Sequence, residues 1–175
     1  MKDIWLISDF HFGHSACIDV FKRADKSPLR DFKDADHMDE VMIENVNKVV
    51  KPHDSLYVLG DVAINKKFLP KVRRLNGHKR LIFGNHDIFE YQKYADVGFE
   101  KLMAYRVMDR ILFSHIPVHE SQLERFSANV HGHLHSNLVK DEHGHVDWRY
   151  INVCVEQTGY TPIHLDEIKQ RILFH

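Results

Sequence analysis

Leu81-Ile82-Phe83-Gly84-Asn85-His86-Asp87 is the stretch from which the fold can be read. Three apolar strand formers bounded by Gly predict a short buried strand whose C-terminal end opens into a tight turn. The turn brings an amide oxygen, an imidazole and a carboxylate to one point. In open α/β sheets ligands bind at the carboxyl ends of the strands, so position and chemistry agree. The arrangement recurs along the chain. Ile4-Trp5-Leu6-Ile7 runs into Asp9-Phe10-His11, and Ser55 to Leu59 runs into Gly60-Asp61. Ile111-Leu112-Phe113 leads to Ser114-His115, and Asn129-Val130-His131 leads to Gly132-His133-Leu134-His135.

Between these strands the chain alternates. A short helix is expected near Ala16 to Phe21. A longer one follows a cap at Asp34 or Asp36, with Met38, Val41, Met42, Val46, Val49 and Val50 at helical spacing and Pro52 as its stop. Leu69 to Leu75 reads as an amphipathic helix with Pro70 in its first turn. Leu102 to Val107 and Arg110 to Phe113 read as a β-hairpin, Tyr150 to Val155 as a strand and Asp166 to Leu173 as a closing helix. Strand–helix alternation followed by mostly strand predicts an α/β fold: a compact α/β/β/α sandwich of two mixed sheets flanked by helices.

At 175 residues the chain fits a single domain, 1–175. Its Lys and Arg number 24 against 25 Asp and Glu, so net charge does not mark a nucleic-acid binder. Two Cys without Cys-x-x-Cys spacing, no signal-peptide pattern after Met1 and no apolar run of ~20 residues point to a cytoplasmic protein that does not enter the membrane. The 15 His are the anomaly, and because they are scattered no purification tag explains them. Imidazole is the commonest metal ligand and a proton carrier near neutral pH.

Asp9, His11, Asp61, Asn85, His115, His133 and His135 lie at the strand ends. The single-residue spacers in Asp9-Phe10-His11 and His133-Leu134-His135 would let each pair project to one side of an extended backbone. Mixed oxygen and imidazole donors suit Mn, Fe, Ni or Zn better than Ca. Seven donors exceed one tetrahedral centre, which favours a pair of ions.

Taken together, Asp9-Phe10-His11, Gly60-Asp61, Gly84-Asn85-His86-Asp87, His115 and Gly132-His133-Leu134-His135 resemble, in order, the five blocks of the calcineurin-like metallophosphoesterases. The resemblance runs from Ile4 to about Val155 and suits a small, cap-less bacterial or phage type. It implies a hydrolase with two divalent ions, Mn first among them. Asp9, His11 and His135 would hold one ion, Asn85, His115 and His133 the other, and Asp61 would bridge. A bridging hydroxide would attack phosphorus in line, with His86 as proton donor and Asp87 orienting its ring. The expected substrate is a phosphorylated small molecule, nucleotide or phosphodiester. A nuclease on nucleic-acid ends and a non-catalytic scaffold on the same fold are the alternatives.

Three further readings stay open. His14 follows the first block closely and could reach a substrate phosphate or be a surface His. The acids Asp31, Asp34, Asp36, Asp39, Glu40 and Glu44 read as a solvated helix entrance. The run Lys66, Lys67, Lys71, Arg73, Arg74, Lys79 and Arg80 contains no acid. It reads as the exposed face of a helix or as a basic rim for a polyanion, the one basis for preferring nucleotide-like substrates. His131 is expected to pack or support, and Cys154 to be a core residue. His37, His53, His78, His119, His143, His145, His164 and His175 carry no motif context.

Overall fold

A computed structural model describes residues 2–174; Met1 and His175 lie outside the described residues. Its strands are β1 (Ile4–Ile7), β2 (Ser55–Val58), β3 (His78–Ile82), β4 (Phe99–Met103), β5 (Arg106–Met108), β6 (Ile111–Phe113), β7 (Ala128–His131), β8 (Tyr150–Asn152) and β9 (Ile163–His164). Its helices are α1 (Ala16–Asp19), α2 (Ala35–Val49), α3 (Tyr91–Asp96) and α4 (Leu165–Leu173). The first sheet has the order β4-β3-β2-β1-β9, parallel except for β9; the second has the order β5-β6-β7-β8, parallel except for β5. These are the two mixed sheets flanked by helices that the alternation predicts.

Alternation along the strands sorts side chains into two cores. Ile7, Leu56, Val58 and Leu81 face α2 with Met38, Met42 and Val46, whereas Leu6, Tyr57, Leu59 and Ile82 meet Phe113, Val130 and Ile151 of the second sheet and Ile168 of α4. β1 and β2 are therefore apolar on both faces, as buried parallel strands are. The two sheets meet where Ser8 N–H donates to Val153 O at 2.9 Å and Val155 N–H donates to Ser8 O at 3.1 Å. That junction directly follows β1 and precedes Asp9, so the strand ends of both sheets converge on one place.

The long helix starts where its cap was expected: the Asp34 side chain accepts from His37 N–H, and the helix ends at Val49. Four local expectations are corrected. The stretch Lys66–Arg74 is a run of 3-10 turns with Pro70 inside it, since Pro has no N–H to continue an α-helical ladder. The hairpin is confined to β5 and β6; Leu102 and Met103 belong to β4 in the other sheet, paired with Leu81 and Ile82. Asp109 and Arg110 link the hairpin with φ of 50° and 63°, the double left-handed turn that matches strand twist. Asp39 is not solvated but fully buried, accepting from Gly13 N–H and from Lys71 Nζ at 2.7 Å. The short α3, β9 and the 3-10 turns at Glu120–Glu124 fall where no element was expected. Among the described residues, no helix is long and apolar enough to cross a membrane.

Candidate metal centre

Asp9 and His11 follow β1, Asp61 follows β2, Asn85 follows β3, His115 follows β6, and His133 and His135 follow β7. The backbone there is not extended, as the single-residue spacers suggested. Asp9, His11, Asp61, His133 and His135 all have positive φ, of 62°, 50°, 54°, 69° and 50°. L-residues adopt this region reluctantly, at a cost of roughly 1–3 kcal/mol each, and such strain collects at functional sites. The left-handed turns curl the strand ends inward, so donors from both sheets face one another. Glycines permit the approach. A Cβ on Gly84 would collide with the Asp61 carboxylate and one on Gly132 with the Ser8 hydroxyl and Asp9 carboxylate.

Two clusters result: Asp9, His11 and His135, and Asp61, His115 and His133. In each, the donor atoms lie within 4.8 Å of one another. In the first, Asp9 Oδ2 is occupied by the structure. It takes His133 N–H at 2.9 Å, the Ser8 hydroxyl at 2.5 Å and the Cys154 thiol at 3.1 Å. Asp9 Oδ1 is buried without a partner, as are both ring nitrogens of His11. Asp9 Oδ1 lies 3.7 Å from His11 Nε2 and 3.8 Å from His135 Nε2. A buried, unpaired carboxylate oxygen facing two imidazole nitrogens is costly unless a cation completes it, so these residues fit a metal ion.

Asp61 repeats the division. Its Oδ1 accepts from His86 N–H at 2.9 Å, while Oδ2 lies 3.5 Å from His11 Nε2 and 3.4 Å from His115 Nε2. The same His115 nitrogen is 3.0 Å from Asn85 Oδ1, and its Nδ1 is held by Leu59 O at 2.7 Å. All seven expected ligands are thus brought together. Burial raises a carboxyl, but the imidazoles of His11, His115 and His135 hold Asp9 well below the usual carboxylate range; His115 and His11 lower Asp61. Burial would lower His115, yet Asp61 and Asp9 push it up to about 9.

Asp87 has different partners from those expected. Its Oδ2 accepts from Asp61 N–H and Gly84 N–H, both at 2.8 Å, and its Oδ1 from Val62 N–H at 3.0 Å. It staples two ligand turns through their backbones instead of orienting the His86 ring. Burial raises it to about 6, against the lowering effect of those bonds. His86 itself is exposed, its ring centroid 5.7 Å from that of His11. His14 lies on the site wall, 5.7 Å from His11 by ring centroid, with Cys17 Sγ 3.6 Å from its Nδ1.

Two residues that carry the site were missed. Arg30 is fully buried and donates to Asp9 O at 2.6 Å, Phe10 O at 2.8 Å and Glu156 Oε1 at 2.8 Å; the same Glu156 oxygen lies 3.0 Å from His135 Nδ1. A lone Arg in a polar loop and a Glu after the last expected strand carry no sequence signal. The basic run, by contrast, is largely engaged. Lys71 pairs with Asp36 and Asp39, Arg74 with Glu40, and Arg73 and Lys79 bond backbone carbonyls. It offers little support for a basic rim.

No protein-family model matches the chain. It is 34% identical over 178 residues to the uncharacterized protein MJ1445 of Methanocaldococcus jannaschii, an alignment covering 98% of this chain and 92% of that protein. The chain belongs to the same family as this archaeal protein. The Gene 66 protein of Mycobacterium phage L5 is 24% identical, over 91% of this chain and 89% of the phage protein. A crystal structure of AQ665 from Aquifex aeolicus, a protein of unknown function, aligns with a TM-score of 0.71 and 28% identity, covering 97% of this chain and 99% of that one.

Proposed function

We propose that the chain is a dinuclear metal-dependent phosphohydrolase, a phosphoesterase of the metallophosphoesterase kind. The observation that carries this reading is the placement of Asp61 Oδ2, at 3.5 Å from an imidazole of one cluster and 3.4 Å from an imidazole of the other. A carboxylate oxygen facing both donor sets would let Asp61 help to hold an ion in each. Carboxylate, imidazole and amide donors together favour Mn, with Fe, Ni or Zn as alternatives. Bound there, such a pair supplies Lewis-acid chemistry, bringing the pKa of water toward neutrality and neutralising charge on the phosphoryl group.

The chain's own groups do the rest. Water adds to phosphorus and gives up a proton to solvent, the ester P–O bond breaks, and the leaving oxygen takes a proton. His86 would give that proton; it lines the cavity, and its backbone N–H donates to Asp61 Oδ1, which supports this role. Asp87 supports it indirectly by fixing the turn. The protonated imidazole becomes neutral and recovers its proton from solvent, to which it is exposed.

The test is metal content of the purified chain, together with Mn-dependent hydrolysis of p-nitrophenyl phosphate and of bis(p-nitrophenyl) phosphate. His86→Ala should keep both ions yet lose ~100- to 10,000-fold in rate on an alkyl ester, whose poor leaving group needs protonation. The loss on nitrophenyl esters should be much smaller. A chain with neither bound metal nor Mn-dependent hydrolysis would sink the proposal, and equal losses on both ester types would remove His86 from the proton-donor role.

A further inference from the structure

The clusters open into a cavity of about 430 Å³, within the range that ordinary small-molecule sites occupy. One of its walls is built by residues outside every motif. After α1 the chain turns back on itself, with an antiparallel bridge between Lys22 and Pro28 and with Leu29 N–H donating to Phe21 O at 2.9 Å. The Arg23 guanidinium bonds Leu29 O from Nε and Nη2, at 3.3 and 3.1 Å. The wall is therefore braced before anything binds, which limits the ordering cost of binding.

Its chemistry is specific. Phe21 is 44% exposed, and its ring meets His14 edge-on at 5.6 Å. Leu29 lies beside it, and Leu134 and Asn137 face the same cavity. Lys22 is the one Lys or Arg among the lining residues. Among the described residues it has no carboxylate partner, unlike Lys71 and Arg74 of the basic run. Apolar surface with one uncommitted cation, beside donors that would hold a phosphoryl group, describes a site for a ring joined to a phosphate.

We propose that this wall is the subsite for the organic half of the substrate, and that this half carries a flat aromatic ring, as a nucleoside phosphate does. Phe21 and Leu29 receive the ring, and Lys22 adds charge to the phosphate's binding. The inference rests on the phosphohydrolase reading and narrows it. Specificity then resides in the segment 16–30, not in the Lys66 to Arg80 run.

The experiment compares adenosine 5′-monophosphate with ribose 5-phosphate, which has the same phosphate and no ring. Binding is measured by calorimetry on the full Mn-loaded chain carrying His86→Ala to slow turnover. The ring should tighten binding ~10-fold or more, the scale of one base stacking on an aromatic side chain. Adding Phe21→Ala should erase that ratio while leaving ribose 5-phosphate unchanged, and Phe21→Leu should restore only part of it. Lys22→Ala should weaken both ligands equally. A ratio near one, or a ratio that survives Phe21→Ala, would overturn the subsite while bis(p-nitrophenyl) phosphate hydrolysis by the native chain persists. If neither ligand binds and the native chain hydrolyses no ester with Mn, the phosphohydrolase reading itself falls and takes the subsite with it.

Discussion

The two donor clusters look alike in composition but are braced in different ways. His135 of the first is oriented by a carboxylate, Glu156, which is itself fixed by the buried Arg30; Arg30 also holds the backbone carbonyls of Asp9 and Phe10. His115 of the second is oriented by a backbone carbonyl, Leu59 O, and shares its other nitrogen with the Asp61 and Asn85 oxygens. A carboxylate on the far side of an imidazole raises its basicity as a ligand and fixes its tautomer; a neutral carbonyl does mainly the latter. The first cluster should therefore be the tighter and the more pre-formed, the second the one that fills last. Asp61 Oδ2 lies near an imidazole of each, His11 and His115.

Removing the shared member should have the largest effect. Asp61→Asn keeps the volume and the acceptor for His86 N–H but takes the negative charge from between the clusters. Mn affinity should fall at both by ~100-fold or more, beyond what loss of an outer partner costs, with turnover lost alongside. A loss confined to one cluster, seen by calorimetric titration, would show that Asp61 does not bridge.

Glu156→Gln separates the clusters. It removes the charge behind His135 and should weaken the first cluster ~10- to 100-fold while sparing the second, so that the order of filling reverses. It also leaves the Arg30 guanidinium buried without its counter-charge, which costs about 3–5 kcal/mol in pairs of this kind and should be visible in denaturant unfolding. If the variant unfolds no more readily and both clusters weaken alike, the asymmetry argued above is absent.

Why the ligands could be read from the sequence and their braces could not has a physical explanation. A ligand sits at a strand end, and both strand and end leave local marks: Leu56-Tyr57-Val58-Leu59 then Gly60-Asp61, or Val130-His131 then Gly132-His133. The mark is an apolar run followed by Gly or Ser, and it survives without knowledge of the fold. The brace on Asp9 and His135 is made by residues 126 apart in sequence, Arg30 and Glu156, and neither stands in a pattern. Asp39 shows the opposite error. Its place in an acidic helix entrance suggested solvent, but the Gly13 amide and Lys71 ammonium that surround it come from other parts of the chain. The left-handed backbone at five ligands was likewise hidden, because Asp and His reveal nothing of a φ imposed by tertiary contacts. The hairpin error at Leu102 has the same root: a strand's propensity does not say which sheet it joins.

The last predicted effect is one of pH, and it tests the second cluster alone. Without metal, His115 is raised to about 9, against an unfolded value near 6.5, because Asp61 and Asp9 outweigh its burial. The folded protein therefore binds a proton there that the unfolded chain releases as pH rises past 6.5. The resulting stability is fully present below pH 6.5 and is lost as pH climbs through 9; at most it is about 3 kcal/mol. Metal binding has the opposite slope, since the imidazolium must give up its proton before it can ligate. The metal-free chain should thus become less stable between pH 6.5 and 9 while Mn affinity at the second cluster rises up to ~10-fold per pH unit over the same range. Thermal unfolding in chelator and calorimetry in buffers of different ionisation enthalpy give the two slopes separately. His115→Asn should flatten the first. If stability and affinity instead rise together across this window, the proton is not on His115, and the two clusters differ for some reason other than the one their braces suggest.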